Sequence, residues 1–83
     1  MANVATLFKV YPKDGQQADA VASAIRSKLN PKGMQTEDIG FGIQVIKVLF
    51  TFDDSKTSSS KIEESIRAIE GVGEVEVEEE SLV

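Results

Sequence analysis

Residues 43–52, IQVIKVLFTF, alternate at period two with apolar side chains on both faces. Ile46, Val48, Phe50 and Phe52 fall on one side; Ile43, Val45, Lys47, Leu49 and Thr51 fall on the other. A strand that is apolar on both faces belongs inside a sheet, covered from more than one direction. The rest of the chain must therefore supply flanking strands and a covering layer.

Residues 4–11, VATLFKVY, provide one neighbour, with Val4, Thr6, Phe8 and Val10 on a single face. Pro12 and Gly15 in PKDG end it. The period then changes. Over residues 16–29, Ala18, Val21, Ala22, Ile25 and Leu29 recur at helical spacing, with Asp19, Ser23, Arg26 and Ser27 opposite. Asn30-Pro31-Lys32-Gly33 stops this helix, because a residue before proline is pushed out of helical geometry. Residues 34–38, MQTED, read as a short strand leading to a glycine turn.

After the long strand comes a polar loop, Asp53-Asp54-Ser55-Lys56. A second helix is predicted over about residues 58–70, with Ser60 and Glu63 at capping-box spacing and Ile62, Ile66 and Ile69 as its stripe. Gly71 sits where a left-handed cap is expected. Residues 74–80, EVEVEEE, predict a last strand with Val75 and Val77 inward and the glutamates outward. The order is β-α-β-β-α-β. The fold class predicted is α+β, a ferredoxin-like sandwich: a four-stranded antiparallel sheet with two helices on one face. Residues 1–83 are expected to form one domain. The fold alone does not determine function.

Composition narrows the chemistry. The 83 residues include no histidine, cysteine or tryptophan. That removes the commonest general base, the thiol nucleophile and the usual transition-metal ligands. A binding module is expected rather than an enzyme, with no cofactor and no metal. The net charge of −5 is uneven, +3 over residues 1–36 and −8 over residues 37–83. Such a surface repels phosphate backbones, so a protein partner is expected and direct nucleic-acid binding is not. No run approaches the roughly 20 apolar residues of a membrane span. MANVATLFKV has no basic residue ahead of its apolar stretch, so a cytoplasmic location is expected.

Four features invite a functional reading. Phe41 stands between Gly40 and Gly42. It either projects as an aromatic anchor for a partner or folds under the sheet end. Two bare flanks suit the projecting form, since one glycine suffices for a turn. The paired acids Glu37-Asp38, Asp53-Asp54, Glu63-Glu64 and Glu78-Glu79-Glu80 match no calcium loop and read as solvated surface. GFG lacks the Gly-Lys-Ser/Thr ending of a phosphate loop and opens no helix. TSSSK has no histidine to activate a serine, and helix capping accounts for it.

IGFGI before the long strand, the DD loop, VYP at the end of strand one and IEESIRAIEGVGEVEV together resemble the translation elongation factor 1-beta family, in its short archaeal form. The resemblance covers almost the whole chain. It implies the same ferredoxin-like fold, and exchange of GDP for GTP on the GTPase elongation factor 1-alpha. It also implies a partner-binding turn at Ile39, Gly40, Phe41, Gly42 and Ile43, with Phe41 as the contact. One departure matters. Eukaryotic relatives carry a lysine near the C-terminus that disturbs the partner's magnesium site, whereas the last cation here is Arg67. Pressure from the tail, Ser81, Leu82 and Val83, could replace it; a carboxylate from Glu78–Glu80 is the other candidate. Two further classes compete with the exchange factor: a regulatory or small-ligand module on the same fold, and an acylphosphatase-like hydrolase. The hydrolase needs an arginine after strand one, where VYPKDG supplies only Lys13.

Overall fold

The computed structural model describes residues 3–13, 15 and 17–82. The chain runs β1 (Asn3–Pro12), α1 (Ala18–Leu29), β2 (Gly33–Gly40), β3 (Ile43–Asp53), α2 (Ser59–Arg67), β4 (Val72–Leu82). One sheet has the order β2-β3-β1-β4, and every neighbouring pair is antiparallel. This is the predicted ferredoxin-like α+β arrangement, with β1 and β3 at the centre.

Cross-strand partners explain where the core lies. Phe8 opposes Val48 and Val10 opposes Ile46, so the predicted faces of β1 and β3 coincide. Onto that face pack Ala18, Val21, Ala22 and Ile25 of α1 and Ile66 of α2, all buried. Phe8 and Phe50 meet edge to face, with ring centroids 5.8 Å apart and planes at 77°. On the opposite face of β3 Val45 alone is fully buried, while Ile43 is 50% exposed and Thr51 is exposed, so that face is largely open despite its apolar pattern.

Boundaries differ from the expectation in instructive ways. α1 begins at Ala18, because Gln17 is still extended; Gln16 lies outside the described residues. The helix stops at Asn30, which takes a left-handed φ of 51° and donates its N–H to the Arg26 carbonyl. β2 is longer than predicted, since pairing with β3 runs from Gly33 to Gly40.

The cap of α2 is Ser58, not Ser60. Ser58 has the extended backbone that lets its Oγ accept the Lys61 N–H at 3.3 Å. With Lys61 at that position the reciprocal glutamate bond of a capping box cannot form. Nor does Gly71 cap the helix directly. α2 closes on Ala68 in right-handed geometry, and short bonds from Ile69 to Ile66 and from Val72 to Ile69 wind the chain onward. Gly71, at φ 96°, reverses the chain into β4.

β4 corrects the simple alternation. Val75 is buried, but Val77 is 44% exposed, because it lies on an edge strand beyond the cover of the short α2. Val77 opposes Phe8 and Glu79 opposes Leu7, so Glu78 is an extra, bulged residue. The bulge reverses the parity after it, and the glutamates are not all outward. Glu80 comes opposite Thr6, whose buried hydroxyl donates to its Oε1 at 3.2 Å.

Candidate functional site

Gly40 pairs with Ile43, which leaves Phe41-Gly42 as a two-residue turn between β2 and β3. Positive φ at both central residues matches the twist of the strands, and Asn-Gly usually fills those places. Here φ is 58° at Phe41 and 74° at Gly42, preceded by 103° at Gly40. An L-residue with a bulky side chain pays about 1–2 kcal/mol for that conformation. No burial offsets it, since Phe41 is 102% exposed. The ring does not fold under the sheet end. Ile39 and Ile43 flank it, 43% and 50% exposed, and form an apolar tip.

A Cβ added at Gly40 or Gly42 would meet nothing within 4 Å. The two glycines are therefore required by backbone conformation, and they leave both flanks of the ring bare. Register adds one device. Asp38 opposes Gln44 and Gly40 opposes Ile43, so Ile39 is an extra residue on β2. Across that bulge the Asp38 Oδ1 accepts the Gly40 N–H at 2.9 Å. Asp38 had the look of a solvated surface acid. The signal that could have found it is an aspartate two residues before a turn glycine, the spacing of an Asx turn. Beside the tip lies a cleft of about 200 Å³, lined by Tyr11, Pro12, Lys13, Ala18, Ile43 and Gln44 among others.

The remaining predicted residues are not brought to this tip. Ser81 and Leu82 are not a loose tail: they continue β4 and pair with Ala5 and Val4. Leu82 is 73% exposed. Val83 lies outside the described residues. Ile43 starts β3 near the Pro12 end of the sheet, whereas Leu82 sits at the Asn3 end. At about 3.3 Å per strand residue, the two groups are on the order of 30 Å apart.

At least one member of each acidic pair or run is engaged with a neighbour. The Lys47 ammonium lies 3.2 Å from Glu37 and 3.5 Å from the bulged Glu78, bridging the open face of the sheet. Its pKa is raised, first by the hydrogen bond to Glu37 and then by the charges of Glu37 and Glu78. Asp53 accepts the Ser55 N–H at 3.0 Å and its Oγ at 2.8 Å, which hold the carboxyl below its ordinary value. Glu74 is held low by the Val75 N–H and then by Arg67, 3.0 Å away. Among the described residues, no three carboxylates converge as a metal-binding group.

These shifts have a sign. Asp53 and Glu74 hold protons less tightly when folded, so their stabilisation is present above about pH 4 and lost as pH falls through the lowered values. Lys47 works oppositely: its contribution is present below its ordinary value and lost as pH rises through the raised one. Thermal midpoints should form a plateau between about pH 5 and 10 and fall on either side. A decline already complete by pH 6 would contradict this assignment.

No helix among the described residues is long and apolar enough to cross a membrane. Residues 5–83 match the family model described as the EF-1 guanine nucleotide exchange domain. The chain is 36% identical to elongation factor 1-beta of Thermoplasma acidophilum and 31% identical to that of Methanoculleus marisnigri, with all of both chains covered in each comparison. It is 38% identical to elongation factor 1-beta of Aeropyrum pernix, over 94% of this chain and 93% of the other. A match over nearly every residue, the glycine-flanked turn included, shows that the chain belongs to the elongation factor 1 guanine nucleotide exchange family.

Proposed function

We propose that this chain promotes release of GDP from elongation factor 1-alpha in the cytoplasm, so that GTP can rebind and protein synthesis continue. The observation that carries the reading is Phe41, fully exposed on a left-handed turn, inside a chain matched to the exchange domain almost end to end. An aromatic side chain held in the open at a conformational cost is suited to a socket on another protein. A small-ligand module would be better served by a buried Phe41 and an apolar pocket elsewhere.

Exchange of this kind makes and breaks no covalent bond. The factor binds the nucleotide-free partner more tightly than the loaded one. By linkage it must weaken nucleotide binding by the same factor. The tip, Ile39 to Ile43, supplies affinity in this reading. The C-terminal end of β4, Ser81 and Leu82 with Val83 beyond, presses on the partner's nucleotide site from the other end of the sheet. Being part of a paired strand, Ser81 and Leu82 can transmit force that a free tail could not. The carboxylate alternative narrows to Glu79, since Glu78 is engaged by Lys47 and Glu80 by Thr6.

The test follows fluorescent GDP leaving elongation factor 1-alpha with and without the protein. Phe41→Ala should abolish the acceleration at concentrations where the unaltered protein acts. Truncation after Glu80 should lower the maximal release rate while binding persists. Normal exchange by the truncated chain would remove the C-terminal end from the mechanism. No acceleration by the unaltered protein at saturation would overturn the reading as a whole.

A further inference from the structure

We infer that Asp38 is a positioning residue for the Phe41 tip, holding the turn in its partner-ready shape before contact; the role in exchange rests on the function proposed above. Three consecutive residues, Gly40, Phe41 and Gly42, have positive φ. Nothing packs on them. Phe41 is wholly exposed, and beyond the adjoining residues of the chain no atom comes within 4 Å of where a Cβ would stand at either glycine. A segment rich in glycine and bare of contacts has many conformations open to it.

Two restraints oppose that freedom. One is the Gly40–Ile43 pair that closes the ladder. The other is the bond from the Gly40 N–H to the Asp38 Oδ1, 2.9 Å long, which crosses the bulge at Ile39 where the ladder is interrupted. The bond fixes the residue from which the turn departs, and hence the direction in which Phe41 points. An anchor ordered in advance does not incur its ordering entropy on binding, so loss of the restraint appears as weaker association.

Substitution separates this role from a charge contact with the partner. Asparagine keeps the accepting oxygen at the same reach and drops the charge. Glutamate keeps the charge, but its extra methylene breaks the short ring. In the GDP-release assay, Asp38→Ala should raise the half-saturating concentration about tenfold and leave the maximal rate within about twofold. Asp38→Asn should return it to within about threefold of the unaltered protein, and Asp38→Glu should behave like Asp38→Ala. Rescue by glutamate and not by asparagine would replace positioning with a direct charge contact.

A second measurement needs no partner. Backbone amide order parameters at Phe41 and Gly42 should be near 0.85 in the unaltered protein and in Asp38→Asn, and fall toward about 0.6 in Asp38→Ala. An unchanged tip in Asp38→Ala would overturn the inference whatever the exchange assay shows. Failure of the unaltered protein to accelerate release would instead count against the exchange reading, and the order parameters would still decide what Asp38 does.

Discussion

Replacing Phe41 by asparagine is expected to make the protein more stable and less active at once. Phe41 is 102% exposed, so its removal sacrifices no buried area. It does relieve a bulky side chain at φ 58°. Asparagine tolerates the left-handed region, and Asn-Gly is the pair this turn prefers. The gain is about 1 kcal/mol, which for a chain of this size raises the thermal midpoint by about 4–8 °C.

Activity moves the other way. Truncating an aromatic anchor at the centre of an interface commonly costs about 2–4 kcal/mol, roughly thirty- to several-hundred-fold in affinity. Neighbouring substitutions sharpen the point. Alanine is also disfavoured at positive φ, so Phe41→Ala should lose activity without the stability gain. Phe41→Gly should gain less than asparagine, because glycine adds freedom to the unfolded chain. Thermal melts and GDP-release titrations on the three variants decide the matter. A loss of stability in Phe41→Asn would mean that the ring packs on the protein after all.

Much of this architecture could be read before the structure because it rests on local periodicity. The two-sided pattern of β3 placed it at the centre of the sheet, and the stripe Val21, Ala22, Ile25 identified the buried side of α1. Details that depend on pairing were hidden. EVEVEEE alternates only as far as Glu78, and nothing in the string shows that a bulge there turns Glu80 toward Thr6; only register against β1 reveals it. Three adjacent serines all offer a capping oxygen. Which one caps is decided by backbone dihedrals, and Ser58 alone has been left extended ahead of the first turn.

The candidate site divides the same way. Two glycines around Phe41 pointed to a projecting ring, and the ring projects. The restraint on it left one trace, an aspartate two residues before a turn glycine, but a carboxylate next to another carboxylate also reads as solvated surface until its hydrogen bond is seen. Nor could the sequence reveal that the IGFGI turn and the C-terminal residues stand at opposite ends of the sheet. That follows from β1 pairing with both β3 and β4, with Leu82 set against Val4.

Phe8→Ala is the complementary experiment, on the same residue type with the opposite surroundings. Phe8 is wholly buried and meets Phe50 edge to face. It lies on β1, which holds β3 on one side and β4 on the other. Cutting it to alanine removes the transfer energy of the ring and leaves a cavity, about 3–5 kcal/mol in all. A chain of this length has on the order of 4–12 kcal/mol to lose. The variant should therefore melt far below the unaltered protein and, at the low end of that range, be largely unfolded at working temperature. Phe8 lies in the helix-covered core, away from the tip, so release activity per folded molecule should stay within about twofold of normal once the unfolded fraction is measured by circular dichroism and subtracted. The two phenylalanines then separate cleanly: one substitution costs the fold and leaves the tip alone, the other costs the tip and strengthens the fold. Activity lost from the folded fraction of Phe8→Ala would show that the core governs the geometry of the tip, and that Asp38 and the turn are not sufficient to set it.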